Sequence, residues 1–193
     1  MHHIYHTEGI ILDSRSQGEA GKYYSIFTRD LGLIYASAQG VRKMSSKLRF
    51  VLQDFAYLKI DLVQGVNIFR VTNASKTNKL EEITKRPEHF AIFVNISKLL
   101  KRLLAGVEPN QELFADLING LSILENSKTN EDLRNIEAII VLRMVHNLGY
   151  IGDSLVSQNL IKSPFEASLI FEVSKNRTKI LSEINKALKE THL

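Results

Sequence analysis

The residues best suited to chemistry are four cations, Arg42, Lys43, Lys47 and Arg49, between two strand-like runs. Cations on a connection held rigid by strands suit phosphate contact, which needs positive charge and no base-specific geometry. Lys22 and Arg29 are possible extensions of the same face. Aromatic residues accompany them: Tyr23, Tyr24, Tyr35, Tyr57 and Phe69. Exposed aromatics stack on bases, and Tyr35 and Tyr57 are the pair expected to be exposed.

Other constellations fail on spacing. Gly18-Glu19-Ala20-Gly21-Lys22 has two residues between its glycines and Tyr23 after the lysine. A phosphate-binding loop needs four and then Ser or Thr, so this stretch is a turn with Lys22 exposed. His2, His3 and His6 do not suit chelation from one strand, where residues three apart such as His3 and His6 face opposite ways, unless the terminus bends. They are expected to be solvated on a frayed terminus. The chain has no cysteine, which excludes disulfides and thiolate zinc sites. No Ser-His-Asp, Cys-His or paired-carboxylate arrangement stands out, so the reading is not an enzyme, with no catalytic residue, metal or cofactor.

Strand patterns lead to and from the cations. Residues 4–15, 22–30 and 33–39 read as strands rich in β-branched and aromatic residues, with turns at Gln17–Gly21 and Asp30-Leu31-Gly32. Beyond the basic connection, with one helical turn near Lys47 to Leu52, alternation returns. Ala56, Leu58, Ile60 and Leu62 point one way, and Phe55, Tyr57, Lys59 and Asp61 the other. Residues 55–63 and 66–73 form a hairpin across Gln64-Gly65. Five short antiparallel strands fit an oligonucleotide-binding (OB) barrel, and an SH3-like barrel fits the same count.

After Lys79 the period becomes helical. Ile92, Ile96, Leu99 and Leu103 line a face behind Pro87, and Pro109 opens a second helix with Leu113, Phe114, Leu117, Ile118, Leu121 and Leu124 inward. Thr129 or Asn130 caps a third helix, with Leu133, Ile136, Ile140, Met144 and Leu148 inward and Gly149 at its close. Ser163-Pro164-Phe165-Glu166 reads as a capping box, and a last helix lies near Thr178 to Lys189. The fold class is therefore α+β. An N-terminal five-stranded OB-type β-barrel, residues 1–78, precedes an antiparallel helical domain, residues 79–193.

Charge follows this division. Up to Pro87 there are 13 Lys and Arg against 8 Asp and Glu, and beyond it 12 against 13. The basic excess is N-terminal and suits an anionic partner there. No apolar run approaches the roughly 20 residues of a bilayer span. The N-terminus lacks the pattern of a signal peptide. No membrane partner and a cytoplasmic location, the bacterial cytosol or nucleoid, are expected.

The central stretch also carries a resemblance. Ala38-x-Gly40-x-Arg42-Lys43, Ser46-Lys47-Leu48 and Leu52-Gln53-x-Phe55 resemble the signature of the RecO family of DNA repair and recombination mediator proteins. Thr7-Glu8-Gly9-Ile10-Ile11-Leu12, Gly18-Glu19 and Phe27-Thr28-Arg29 before Gly32-Leu33 occur in the family's order. The resemblance implies an OB barrel, binding of single- and double-stranded DNA, strand annealing, and RecA loading with RecR on strands coated by single-stranded DNA-binding protein (SSB). Leu148-Gly149-Tyr150 resembles the phrase that commonly precedes the family's four-cysteine zinc module. No cysteine follows here, so the expectation is a short form without it. A protein-interaction adaptor and an RNA-binding barrel are the competing readings.

Overall fold

The computed structural model describes residues 3–104, 108–152 and 155–190. They form two compact units, residues 3–81 with 108–111, and residues 82–104 with 112–190. The first holds five strands: β1 Ile4–Gln17, β2 Gly21–Thr28, β3 Gly32–Ala38, β4 Tyr57–Gln64 and β5 Phe69–Lys76. They close a barrel in the order β1-β2-β3-β5-β4, with β1 also paired to β4. All neighbours are antiparallel except β3 and β5, where Ala36 meets Phe69 and Ser37 meets Arg70 in parallel. This is the OB-type barrel, and it decides between the two barrels that strand count alone left open.

The interior follows period-two alternation. Ile26, Ile34, Ala36, Leu58, Ile60 and Leu62 are all buried in one cluster. Two irregularities interrupt it. Ile11 pairs with Ile26 and Asp13 with Ser25, leaving Leu12 as an extra residue in β1. Likewise Asp61 pairs with Asn73 and Leu62 with Val71, leaving Thr72 unpaired in β5. A bulge reverses the parity of everything beyond it, which is why Val71 and Ala74, three apart, both face the core. Phe55 does not begin the fourth strand as expected. It sits at φ 66°, a costly conformation for a bulky residue, with its N–H donating to Ile11 O at 2.8 Å.

Of the three terminal histidines, His2 lies outside the described residues, and His6 is more ordered than expected. His6 lies within β1, and its Nδ1 is 2.7 Å from Asp61 Oδ1. That hydrogen bond, followed by one from Asn73, holds the Asp61 carboxyl below the ordinary carboxylate range.

The second unit contains α1 Pro87–Leu103, α2 Gln111–Asn126, α3 Asn130–Asn147, α4 Leu155–Lys162 and α5 Ala167–Glu190. Pro87 is the first residue of α1, and Thr129 caps α3 by accepting from the Asp132 N–H at 3.1 Å. Gly149, at φ 78°, follows α3 in the left-handed conformation that ends helices. The buried stripe of α1 is His89, Phe93, Ile96, Ser97, Leu100 and Leu103, so Ile96 and Leu103 of the expected face are buried together with Phe93 and Leu100, which flank it. α3 is buried almost all round, including Asn135, Ala138, Ile139, Leu142, Arg143 and Val145, and is the central helix of its unit.

Arg143 explains the largest departure from expectation. Its side chain is 4% exposed, pairs with Asp116 on α2 at 3.1 Å, and donates to the carbonyls of Leu160 and Ser163. Its guanidinium carbon lies 4.2 Å from the Phe165 ring centroid. Ser163-Pro164-Phe165-Glu166 is thus bound to Arg143 and does not act as a capping box. The Ser163 hydroxyl donates to Asn159 O at 2.6 Å, and α5 starts only at Ala167, running unbroken through Thr178. Burial holds the Arg143 pKa below its ordinary value, with Asp116 opposing that shift. Arg143→Ala should destabilise the protein by about 3–5 kcal/mol, the cost of breaking a buried ion pair from one side. Arg143→Met should cost less than that. Urea unfolding followed by circular dichroism measures both.

Candidate nucleic-acid interface

The basic connection, residues 39–56, joins β3 to β4. Its sequence alternates residues that must be buried with residues that must not. Val41 and Leu52 are 3% and 1% exposed and belong to the barrel core, while Leu48 and Val51 pack against it in part. Leu48 is in a 3₁₀ turn, Lys47–Phe50, stabilised by Leu52 N–H donating to Leu48 O at 2.9 Å. The opposite side carries the charge. Arg42, Lys43 and Lys47 are exposed and Arg49 is half-exposed. None of the four is in an ion pair among the described residues. No Asp or Glu occurs from Gly40 to Gln53, and the one carboxylate of the connection, Asp54, follows the four cations.

The first turn of the barrel supports this segment. Arg42 N–H donates to Ala20 O at 2.9 Å, and its guanidinium donates to Gly18 O at 3.2 Å. Gly18, at φ 55°, makes that turn tight. Lys22 opens β2 beside it, paired with Ala38, and its ammonium donates to Ser14 Oγ at 3.2 Å. Lys22 therefore shares the barrel end of the connection.

Arg29 does not. It follows β2, about 23 Å along the strand direction from Lys22 at roughly 3.3 Å per residue. Its N–H donates to Glu8 O, and its guanidinium lies 3.9 Å from the Glu8 carboxylate. A cation at the far end of β2 beside a carboxylate does not extend the basic face. Tyr57 also departs from expectation. It is 6% exposed and its hydroxyl donates to Glu8 Oε2 at 2.7 Å, so it offers no ring for stacking. Burial, then the Glu8 hydrogen bond, raises its phenol pKa. Tyr35 is 52% exposed, as expected.

Tyr35 also marks a second group that sequence reading did not assemble. On the outer face, Arg15 of β1 pairs with Tyr23 of β2, Tyr23 with Ser37 of β3, and Ser37 with Arg70 of β5. The Arg15 guanidinium carbon is 5.4 Å from the Tyr23 ring centroid, and the Gln17 amide donates to the Tyr23 hydroxyl at 2.6 Å. The row crosses four strands, with exposed Arg15 and Arg70 at its ends and half-buried Tyr23 and buried Ser37 between them, and exposed Tyr35 is one outward position away on β3. Without the bulge at Leu12, strict alternation from Ile11 puts Arg15 inside the barrel. The bulge has no signature in the sequence. Among the described residues, no group of three or more His, Asp and Glu is placed to hold a metal ion, and no helix is long and apolar enough to cross a membrane.

Residues 1–79 match the family described as Recombination protein O N terminal. The chain is also similar to proteins named DNA repair protein RecO. That of Heliobacterium modesticaldum is 30% identical over 147 residues, 76% of this chain and 52% of the relative. That of Rubrobacter xylanophilus is 28% identical over 147 residues, 76% and 58%. That of Dehalococcoides mccartyi is 30% identical over 129 residues, 67% and 51%. The chain thus spans little more than half the length of these relatives. If phosphate is held at the connection's end of the barrel, Lys22→Ala should lower oligonucleotide affinity and reduce the salt slope by about 0.7. Arg29→Ala should change neither. Fluorescence anisotropy over a range of salt concentrations compares the two.

Proposed function

We propose, from an N-terminal domain that belongs to the RecO family, that this chain is a non-enzymatic DNA-binding mediator acting in DNA repair and recombination. It binds DNA through phosphate contacts and promotes annealing of complementary strands. The single observation that carries the reading is the connection from Gly40 to Gln53. Its apolar residues Val41 and Leu52 are locked in the barrel core, and its cations are held outward with no carboxylate among them. Annealing requires two polyanionic backbones to approach, and fixed cations lower that repulsion without reading sequence. The exposed outer-face residues Arg15, Arg70 and Tyr35, with half-buried Tyr23, support contact to more than one segment of strand. The names of the relatives support repair as the setting. Association with a RecR-like partner and with SSB-like protein, and help in loading RecA, belong to the same reading.

The test is charge reversal at Arg42, Lys43, Lys47 and Arg49. All four side chains point away from the core, so the fold should persist, with circular dichroism and thermal midpoint close to the parent's. Each phosphate contact on a single strand contributes about 0.7 to the slope of log affinity against log salt. The parent's slope should therefore exceed the variant's by roughly 3, equally for unrelated sequences. Annealing of complementary oligonucleotides should slow in parallel. A folded variant with an unchanged slope would refute the reading. Titrations with RNA of the same sequence, and with protein extract depleted of nucleic acid, separate the RNA-binding and adaptor alternatives.

A further inference from the structure

Two side chains on the connection remain unexplained by charge. Met44 is 84% exposed and Phe50 is 70% exposed, although apolar residues of this size are ordinarily buried. Neither is on a loose tip. Phe50 ends the 3₁₀ turn and is followed by Val51, half-buried against the barrel core, and Leu52, wholly within it. Met44 lies between Lys43, whose N–H donates to Gly40 O at 3.0 Å, and Ser46, whose N–H donates to Lys43 O at 3.0 Å. Arg49 joins the two: its guanidinium reaches the Met44 sulfur, and its carbon lies 5.7 Å from the Phe50 ring centroid. Its backbone carbonyl accepts from the Gln53 amide, which ties the turn down.

We infer that Met44, Arg49 and Phe50 form a stacking seat for an unpaired nucleobase, with Phe50 as the platform. The inference rests on the DNA-binding reading above. An aromatic ring held outward on a fixed turn stacks on any base, because every base has a π face. Arg49 places a cation over one face of the ring, 5.7 Å from its centroid, in reach of the phosphate backbone of a base stacked there. Lys43 and Lys47 neighbour the two apolar tips in the chain; lysine is depleted from protein-interface cores and attracts a polyanion. A duplex keeps its bases stacked on one another and offers the seat only its backbone. The seat therefore discriminates single from double strands, while the surrounding cations attract both.

The chain contains no tryptophan, so Phe50→Trp installs a single reporter at the platform. Its emission should be quenched by a thymidine homo-oligonucleotide and unchanged by a saturating duplex of equal length. Phe50→Ala should weaken single-strand affinity by about 5- to 150-fold, the range for loss of one stacked base, and leave the salt slope unchanged. Duplex affinity should not move. Parent-like single-strand affinity in Phe50→Ala, alongside loss of binding on charge reversal, would overturn the stacking seat and leave the phosphate reading intact. No loss on charge reversal would remove both. A tryptophan signal that responds to anionic lipid vesicles and not to the oligonucleotide would overturn the seat in favour of a lipid surface.

Discussion

The parallel pairing of β3 with β5 is the constraint from which the rest of the barrel follows. Antiparallel neighbours can be joined by a tight turn, whereas parallel ones need a long connection. Here the chain leaves β3 at Ala38, must reach the far side of the sheet to start β4, and only then returns as β5. The barrel therefore cannot close without a long segment crossing from β3 to β4. That segment is the basic connection, and Val41 and Leu52 bind it into the core it crosses. A topological necessity thus supplies an anchored surface whose outward positions are free to vary.

Stability and charge are kept apart within this segment. Each of Val41 and Leu52, fully buried, contributes on the order of 1.5–3 kcal/mol relative to exposure. Exposed cations without partners add almost nothing to stability, and their mutual repulsion slightly opposes folding. Arg42 is tied to Gly18 O and Arg49 touches Met44 and Phe50, but none of the four cations of the connection has a carboxylate partner among the described residues. Arg143 is the contrasting case, a cation wrapped by Asp116, two carbonyls and a ring, whose role is to fix α2, α3 and the residues before α5.

What was legible in the sequence was what local physics controls. Alternation in β4 identified Leu58, Ile60 and Leu62 as interior, and Pro87, Thr129 and Gly149 marked helix ends at the positions observed. Where an outcome depended on distant partners, local pattern was insufficient. Tyr57 was correctly assigned opposite to Leu58, yet alternation gives a side and not an exposure, and its hydroxyl is bound to Glu8. Arg29 is close to Lys22 in sequence and a strand's length from it in space. Arg15 was hidden by the bulge at Leu12, and Ser163 to Glu166 were claimed by Arg143. Met44 and Phe50 carry no local signal in the sequence that sets them apart from Val41, Leu48 and Leu52. Only the burial of their neighbours shows that they are the residues left outside.

The closing pairs of the barrel are remote: Ile4 meets Val63 and Ala36 meets Phe69. During synthesis the meander β1-β2-β3 exists with both edges open until β4 and β5 emerge, an interval of about 2–8 s at 5–20 residues per second. Open edges recruit other strands, and like-charged residues beside them discourage it. The segment translated first in that interval is the cationic connection. It sets like charges beside the open edge before the closing strands have emerged.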